Sequence, residues 1–97
     1  MNNCQLQVVE DLVLKVSDHL KMDPTLLKGR TKREEYCIAR ALIWVICIDY
    51  HCLTFRGIAA VFDNRDHSTI WSGYKIMKED MEVNKERRLI YKQLVNG

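Results

Sequence analysis

Between Arg33 and about His51 the chain has almost no polar side. Cys37, Ile38, Ala41, Leu42, Trp44, Val45, Ile46 and Ile48 fall on nearly every face that a helix of this length presents. A helix at a protein surface needs one apolar stripe, whereas one that is apolar all round has to be covered on all sides. A bilayer is not the cover: crossing it takes about 20 apolar residues, and this run is shorter and contains Arg40. The rest of the chain must supply it. In 97 residues that are 47% apolar, with four Gly and one Pro, this predicts one all-α domain over residues 1–97 with the apolar helix at its centre. Arg40 is the exception on that helix, and its aliphatic stem allows the guanidinium to reach solvent or a phosphate.

The covering helices can be read on either side. Leu6, Val9, Val13, Val16 and Leu20 recur at three- and four-residue steps, predicting an amphipathic helix over roughly 5–21. Asp23-Pro24 supplies a cap and a first-turn proline for a short turn through Leu26-Leu27, which Gly29 ends. Thr54 caps a further helix that buries Ile58, Val61 and Phe62. Asp63-Asn64 makes a turn, Asn being one of the few residues other than Gly that tolerates a left-handed conformation. Asp66 caps the next helix, whose inward stripe is Ile70, Tyr74, Met77 and Met81. A last helix over about 84–95 is expected to bury Leu89, Ile90 and Leu94. No repeat, linker or low-complexity tract interrupts these elements.

Charge narrows the function. The net charge is only +2, but residues 1–27 carry Lys15 and Lys21 against Glu10, Asp11, Asp18 and Asp23, leaving +4 for residues 28–97. Lys28, Arg30, Lys32 and Arg33 fall within six residues, in the connection after the short turn. Such a patch on a near-neutral domain suits local phosphate contact better than indiscriminate polyanion binding. Cys4, Cys37, Cys47 and Cys52 have no C-x-x-C spacing and no signal-peptide pattern precedes them, so reduced thiols in a cytoplasmic protein are expected. No cofactor is expected.

Thr54 to Ile70 reads as helix, tight turn, helix, and Arg65, Asp66, His67, Ser68 and Thr69 follow that turn. A helix-turn-helix offers the N-terminal end of its second helix to the major groove. Residues pointing in different directions can then all approach base edges. A carboxylate accepts from cytosine, a hydroxyl donates or accepts, and the threonine methyl touches a thymine methyl. Arg65 suits a phosphate, helped by free N–H groups at the helix start. Thr54, Arg56, Ser72 and Lys75 fall at the edge of that surface, and the 28–33 cluster can meet phosphates or a narrow minor groove.

The same residues resemble the C-terminal DNA-binding domain of DnaA, the bacterial replication initiator family. Its signature of Ile-Gly, a bulky apolar residue, Arg-Asp-His-Ser/Thr-Thr and a branched aliphatic corresponds to Ile58-Ala59, Phe62, Arg65 to Thr69 and Ile70. Ala39-Arg40, Leu26-Leu27 and Arg30-Thr31-Lys32-Arg33 resemble further family elements. The likeness covers roughly residues 8–81 and is strongest over 24–81. It implies a six-helix, Trp repressor-like domain that reads a short asymmetric duplex site. Asp66, His67, Ser68 and Thr69 would lie in the major groove, the basic loop in the minor groove, and Arg40 and Arg65 on phosphates. It also implies a nucleoid-associated role in control of replication initiation or transcription. The departures are Ala59 for the family glycine, Phe55-Arg56 where many members have Leu-Pro, one extra loop residue, and a large Trp71. The target sequence does not follow from the resemblance.

Other chemistry fits less well. No G-x-x-x-x-G-K-S/T loop is present, so nucleotide binding and an ATP-driven role are not expected. Asp66, His67 and Ser68 diverge by ~100° per residue on a helix and cannot form a nucleophile relay, so the chain is expected not to be an enzyme. Cys47, His51 and Cys52 have irregular spacing for a metal and lack an evident fourth ligand. The alternative is a protein-interaction module, or a competitor of initiator, that keeps the fold and binds a replication initiator or regulatory protein. The starting methionine favours a natural small protein over a fragment of a longer initiator.

Overall fold

The computed structural model describes residues 3–96, with side chains from Gln5 onwards, so the Cys4 thiol lies outside the described residues. Six α-helices follow one another: α1 (Asn3–Leu20), α2 (Pro24–Lys28), α3 (Glu34–Val45), α4 (Phe55–Val61), α5 (His67–Val83) and α6 (Lys85–Asn96). There is no strand among the described residues. The central helix is where the sequence placed it. Ala39 and every residue from Ala41 to Cys47 are buried, with α1, α2 and α5 packed around α3. The core joins Val9, Val13 and Val16 of α1 to Leu27, Ile43, Ile58, Phe62, Ile70 and Leu94. Trp44 meets Phe62 edge to face at 5.7 Å, an arrangement aromatic quadrupoles favour.

Local chemistry fixes the boundaries. The Asp23 carboxylate accepts from Thr25 N at 2.8 Å, with Pro24 opening α2. Lys21 adopts φ 57° and Met22 N donates to Ser17 O at 2.8 Å, closing α1 with a Schellman-type bond that usually takes glycine. Asn84 separates α5 from α6, its side chain accepting from Arg87 N at 3.2 Å. The α6 arginines then fold back on α5. Arg88 donates to the carbonyls of Met81 and Glu82 at 2.7 and 3.0 Å, and Arg87 pairs with Asp80 at 2.8 Å. The two Arg88 bonds occupy carbonyls that a helix end otherwise leaves unpaired.

Four expectations need correction. The central helix does not stay α-helical to His51: Ile46–Tyr50 is a π-helical turn, closed by His51 N to Ile46 O at 3.1 Å. Ile46 and Cys47 remain buried there, while Asp49 turns outward and accepts from Tyr74 Oη and Lys78 Nζ, both at 2.6 Å. Cys37 is exposed rather than in the core. Arg40 does not run out to solvent; it is 4% exposed and its donors go to backbone carbonyls. In α6, Leu94 is fully buried and Ile90 half-buried, whereas Leu89 is 49% exposed. Ile90 and Leu94 lie four residues apart on one face, and Leu89 is displaced from it by one helical step of ~100°.

Candidate nucleic-acid interface

Thr54 caps α4 as expected, its hydroxyl accepting from Gly57 N at 3.1 Å. Gly57, Ile58, Ala59 and Phe62 anchor this helix in the core. A Cβ on Gly57 would stand 2.7 Å from Gln5 Oε1, the mobile end of a side chain of α1, and 3.6 Å from Gln5 Cβ, so α1 packs directly over the start of α4. Asp63 and Asn64 then turn the chain with φ of 59° and 51°. Asp66 caps α5 through Ser68 N at 3.4 Å, and Ile70 and Met77 bury its inner face. Tyr74 and Met81 are only half-buried on that stripe.

This framework leaves the tip of α5 in solvent. Asp66, His67, Ser68 and Thr69 are all exposed around the first turn of a 17-residue helix. Ser72 and Lys75 continue the exposed face, and Thr54 and Arg56 are exposed beside it. A cleft of about 430 Å³ between α4 and the start of α5 is lined by Arg56, Asn64, Arg65 and His67. All four of those side chains carry N–H groups that could donate to an anion. Along one edge, Phe55 packs near His67 and against the edge of Trp71 at 6.1 Å, and Trp71 stacks on Tyr74 at 5.5 Å. Trp71 stays 48% exposed, with the Lys75 ammonium 6.0 Å from its ring centre.

The basic connection is fastened to the same turn. Arg30 pairs with the Asp63 carboxylate at 2.8 Å and also donates to Asp63 O at 3.2 Å. Arg65 donates to Gly29 O and holds its guanidinium 6.0 Å from the Trp44 ring centre. From beneath, Arg40 donates to Leu27 O at 2.8 Å, Thr31 O at 2.7 Å and Leu26 O at 3.3 Å. One guanidinium therefore grips both the end of α2 and the middle of the loop. Lys28 is half-buried and pairs with Glu10 at 3.4 Å, while Lys32 and Arg33 are exposed and form no ion pair among the described residues.

The charge arrangement is asymmetric. Burial, then the nearby Arg40 and Arg30 charges, push the Arg65 guanidinium below its usual pKa; Asp63 offsets them in part. An anion arriving at Arg65 would therefore meet a charge that the protein itself solvates poorly. Asp66 stands one residue away, so a bound anion must stay on the arginine side of the tip or donate to the carboxylate. Sequence reasoning placed Arg65, Asp66, His67, Ser68 and Thr69 on one helix tip. It missed Asp63, the Gly29 carbonyl and Trp44, whose link to that tip exists only across sequence separations that no local pattern records.

Comparison with known proteins identifies the family. A family model described as bacterial dnaA protein helix-turn-helix matches residues 9–77. The chain is 29% identical over 84 residues to the chromosomal replication initiator protein DnaA of Leifsonia xyli subsp. xyli (strain CTCB07). It is 30% identical over the same length to the DnaA proteins of Clavibacter sepedonicus and Clavibacter michiganensis subsp. michiganensis (strain NCPPB 382). Each alignment covers 87% of this chain but only 17% of the relative, so the chain spans less than a fifth of the length of these initiators. From its matched segment and its exposed turn, the chain belongs to the bacterial DnaA helix-turn-helix family.

Proposed function

We propose that this chain binds double-stranded DNA at a specific short site, with the tip of α5 in the major groove. Membership of the DnaA helix-turn-helix family supports DNA binding in general. The observation that carries the finer reading is the physical fastening of two exposed polar surfaces. Asp66, His67, Ser68 and Thr69 project from one helix end, and the Lys32-Arg33 segment is held beside it by Arg30–Asp63 and Arg65–Gly29. A duplex engaged by the tip would bring phosphates or the adjacent minor groove to Lys32 and Arg33 without large rearrangement of the loop.

Roles divide by chemistry. Asp66, His67, Ser68 and Thr69 read bases, with Asp66 also penalising pairs that offer it no donor. Arg56 and Arg65, with the free N–H groups of α5, hold a phosphate in the cleft between α4 and α5. Thr54, Ser72 and Lys75 touch the backbone at the margin. Arg30 and Lys28 reach DNA only by exchanging Asp63 and Glu10 for phosphate, so Lys32 and Arg33 lead the loop contact. Arg40 acts by shaping the loop and not by meeting a phosphate. The chain would do this without ATP hydrolysis, in a cytoplasmic, nucleoid-associated role controlling replication initiation or transcription. No helix among the described residues is long and apolar enough to cross a membrane.

Selection from a randomised duplex library at near-physiological salt tests the reading. A short asymmetric motif should be enriched, and Asp66→Ala, His67→Ala or Thr69→Ala should each weaken binding to it while folding is kept. Neutralising Lys32 and Arg33 should lower the salt slope by about 0.9 for each phosphate they no longer neutralise. Retention without a motif would reduce the protein to a non-specific binder. No retention at all would favour a replication initiator or regulatory protein as the partner.

A further inference from the structure

Phe55, His67, Trp71 and Tyr74 form a row of rings along the flank of α5 that faces α4. The Phe55 ring stands 6.3 Å from that of His67 and 6.1 Å from that of Trp71, which stacks on Tyr74 at 5.5 Å. A tryptophan that served only to close the core would be covered. Trp71 instead keeps 48% of its surface in solvent, while Phe55 and Tyr74 beside it are half-buried. Its ring is nonetheless fixed between those two neighbours, so it loses little conformational freedom when a ligand is laid against it.

Position and polarity select that ligand. Trp71 follows His67 by four residues, so it lies within about 40° of it around the helix and ~6 Å farther along the axis. Base pairs follow one another at about 3.4 Å. With the α5 tip among bases, the Trp71 ring therefore stands one or two steps to their side in the same groove. The major groove displays carbonyls, amines and ring nitrogens, and a single apolar group, the thymine C5-methyl. An apolar ring laid on the polar groups takes away their water and gives nothing back, whereas the methyl gains by losing water. The Lys75 ammonium, 6.0 Å from the ring centre, forms no ion pair among the described residues, which leaves it for the phosphate at the margin and the ring for the bases.

We propose that Trp71, braced by Phe55 and Tyr74, reads the C5-methyl of a thymine next to the bases read by Asp66, His67 and Thr69. The recognised site is thereby one position longer than the polar tip alone can read. This rests on the proposed placement of the α5 tip in the major groove. Because the contact is apolar, it adds discrimination between sequences without adding to the salt slope.

The test starts from the duplex that the unaltered full chain selects from a randomised library. Each thymine in turn is replaced by deoxyuridine, which keeps the pairing and every polar group and removes only the methyl. Affinity is read by fluorescence anisotropy of the labelled duplex. At one thymine beside the bases whose discrimination is lost in Asp66→Ala and His67→Ala, binding should weaken about fourfold, since one buried methyl is worth about 0.8 kcal/mol. That loss should disappear in Trp71→Gln and persist in Thr69→Ala, with circular dichroism melts confirming that both variants fold. With cytosine at the same position, adding a C5-methyl should strengthen binding of the unaltered chain by a similar factor, a measurement that needs no variant. A selected motif without thymine there, a deoxyuridine penalty that survives Trp71→Gln, or no gain from the cytosine methyl overturns the methyl reading and leaves site-specific DNA binding standing. Failure to select any motif removes the DNA reading, and this one with it.

Discussion

Replacing Arg40 by methionine separates the two roles that its position in the central helix suggests. Methionine keeps much of the aliphatic stem but removes three donations to carbonyls, Leu27 O at 2.8 Å, Thr31 O at 2.7 Å and Leu26 O at 3.3 Å, and a weak one to Cys37 Sγ at 3.7 Å. The Leu27 bond is buried, and removing a bond from a charged donor there costs about 1.5–3 kcal/mol. The other two carbonyl bonds are partly buried, so water recovers much of them, leaving roughly 0.5 kcal/mol each. Against this, removing a cation that is 4% exposed relieves its desolvation and its repulsion of Arg65. A net destabilisation of about 2–3 kcal/mol follows. For a domain of this size that lowers Tm by roughly 10–20 °C. Circular dichroism melts measure it, and amide exchange should speed up at residues 29–33 first. Arg40→Lys should fall between, because one ammonium cannot span three carbonyls. The salt slope of DNA binding should not change in either variant. A methionine variant that melts within about 3 °C of the parent, yet binds DNA with a salt slope lower by about 0.9, the share of one phosphate, would refute the clamp and restore Arg40 to the DNA surface.

Three other outcomes follow from the packing and the ionisable groups. Gly73→Ala should destabilise by about 1–2 kcal/mol in chemical denaturation, since overpacking against Trp44 exceeds the ~1 kcal/mol gain in helix propensity; a more stable variant would mean that Trp44 yields freely. At Asp49, burial raises the pKa, but hydrogen bonds from Lys78 and Tyr74 outweigh it and leave it lowered, while those of Tyr74 and Lys78 are raised chiefly by Asp49. The network thus stabilises fully between about pH 4 and 10, weakening as pH falls through the Asp49 value and as it rises through those of Tyr74 and Lys78. Exposure of Lys78 keeps its contribution under about 1 kcal/mol, and Asp49→Asn should flatten both limbs of the stability–pH curve. Burial pushes the Cys47 thiol up to about 12. Alkylation at pH 8 followed by mass spectrometry should therefore modify the exposed Cys37 and Cys52 and reach Cys47 only on unfolding; early Cys47 labelling would contradict a closed core.

Much of the architecture was determined by the sequence alone, because it depends on short-range rules. Apolar spacing marked α1 and α5, Asp23-Pro24, Thr54 and Asp66 marked helix starts, and the unbroken apolar run set α3 at the centre. The α5 tip was legible for the same reason: consecutive residues after a turn must emerge together. Tertiary structure decided whatever depends on which distant group a side chain meets. Arg40 has one sequence neighbourhood whether it reaches a phosphate or a carbonyl, and only the approach of α2 and the loop turned it inward. Leu89 and Leu94 look alike in sequence, but the Asn84 cap and the packing of α6 chose Leu94 for the core. Hydrogen bonds from Arg30 to Asp63 and from Arg65 to Gly29 make the basic segment and the helix tip one surface. Their partners lie more than thirty residues apart, a distance over which periodicity carries no information and folding energy does.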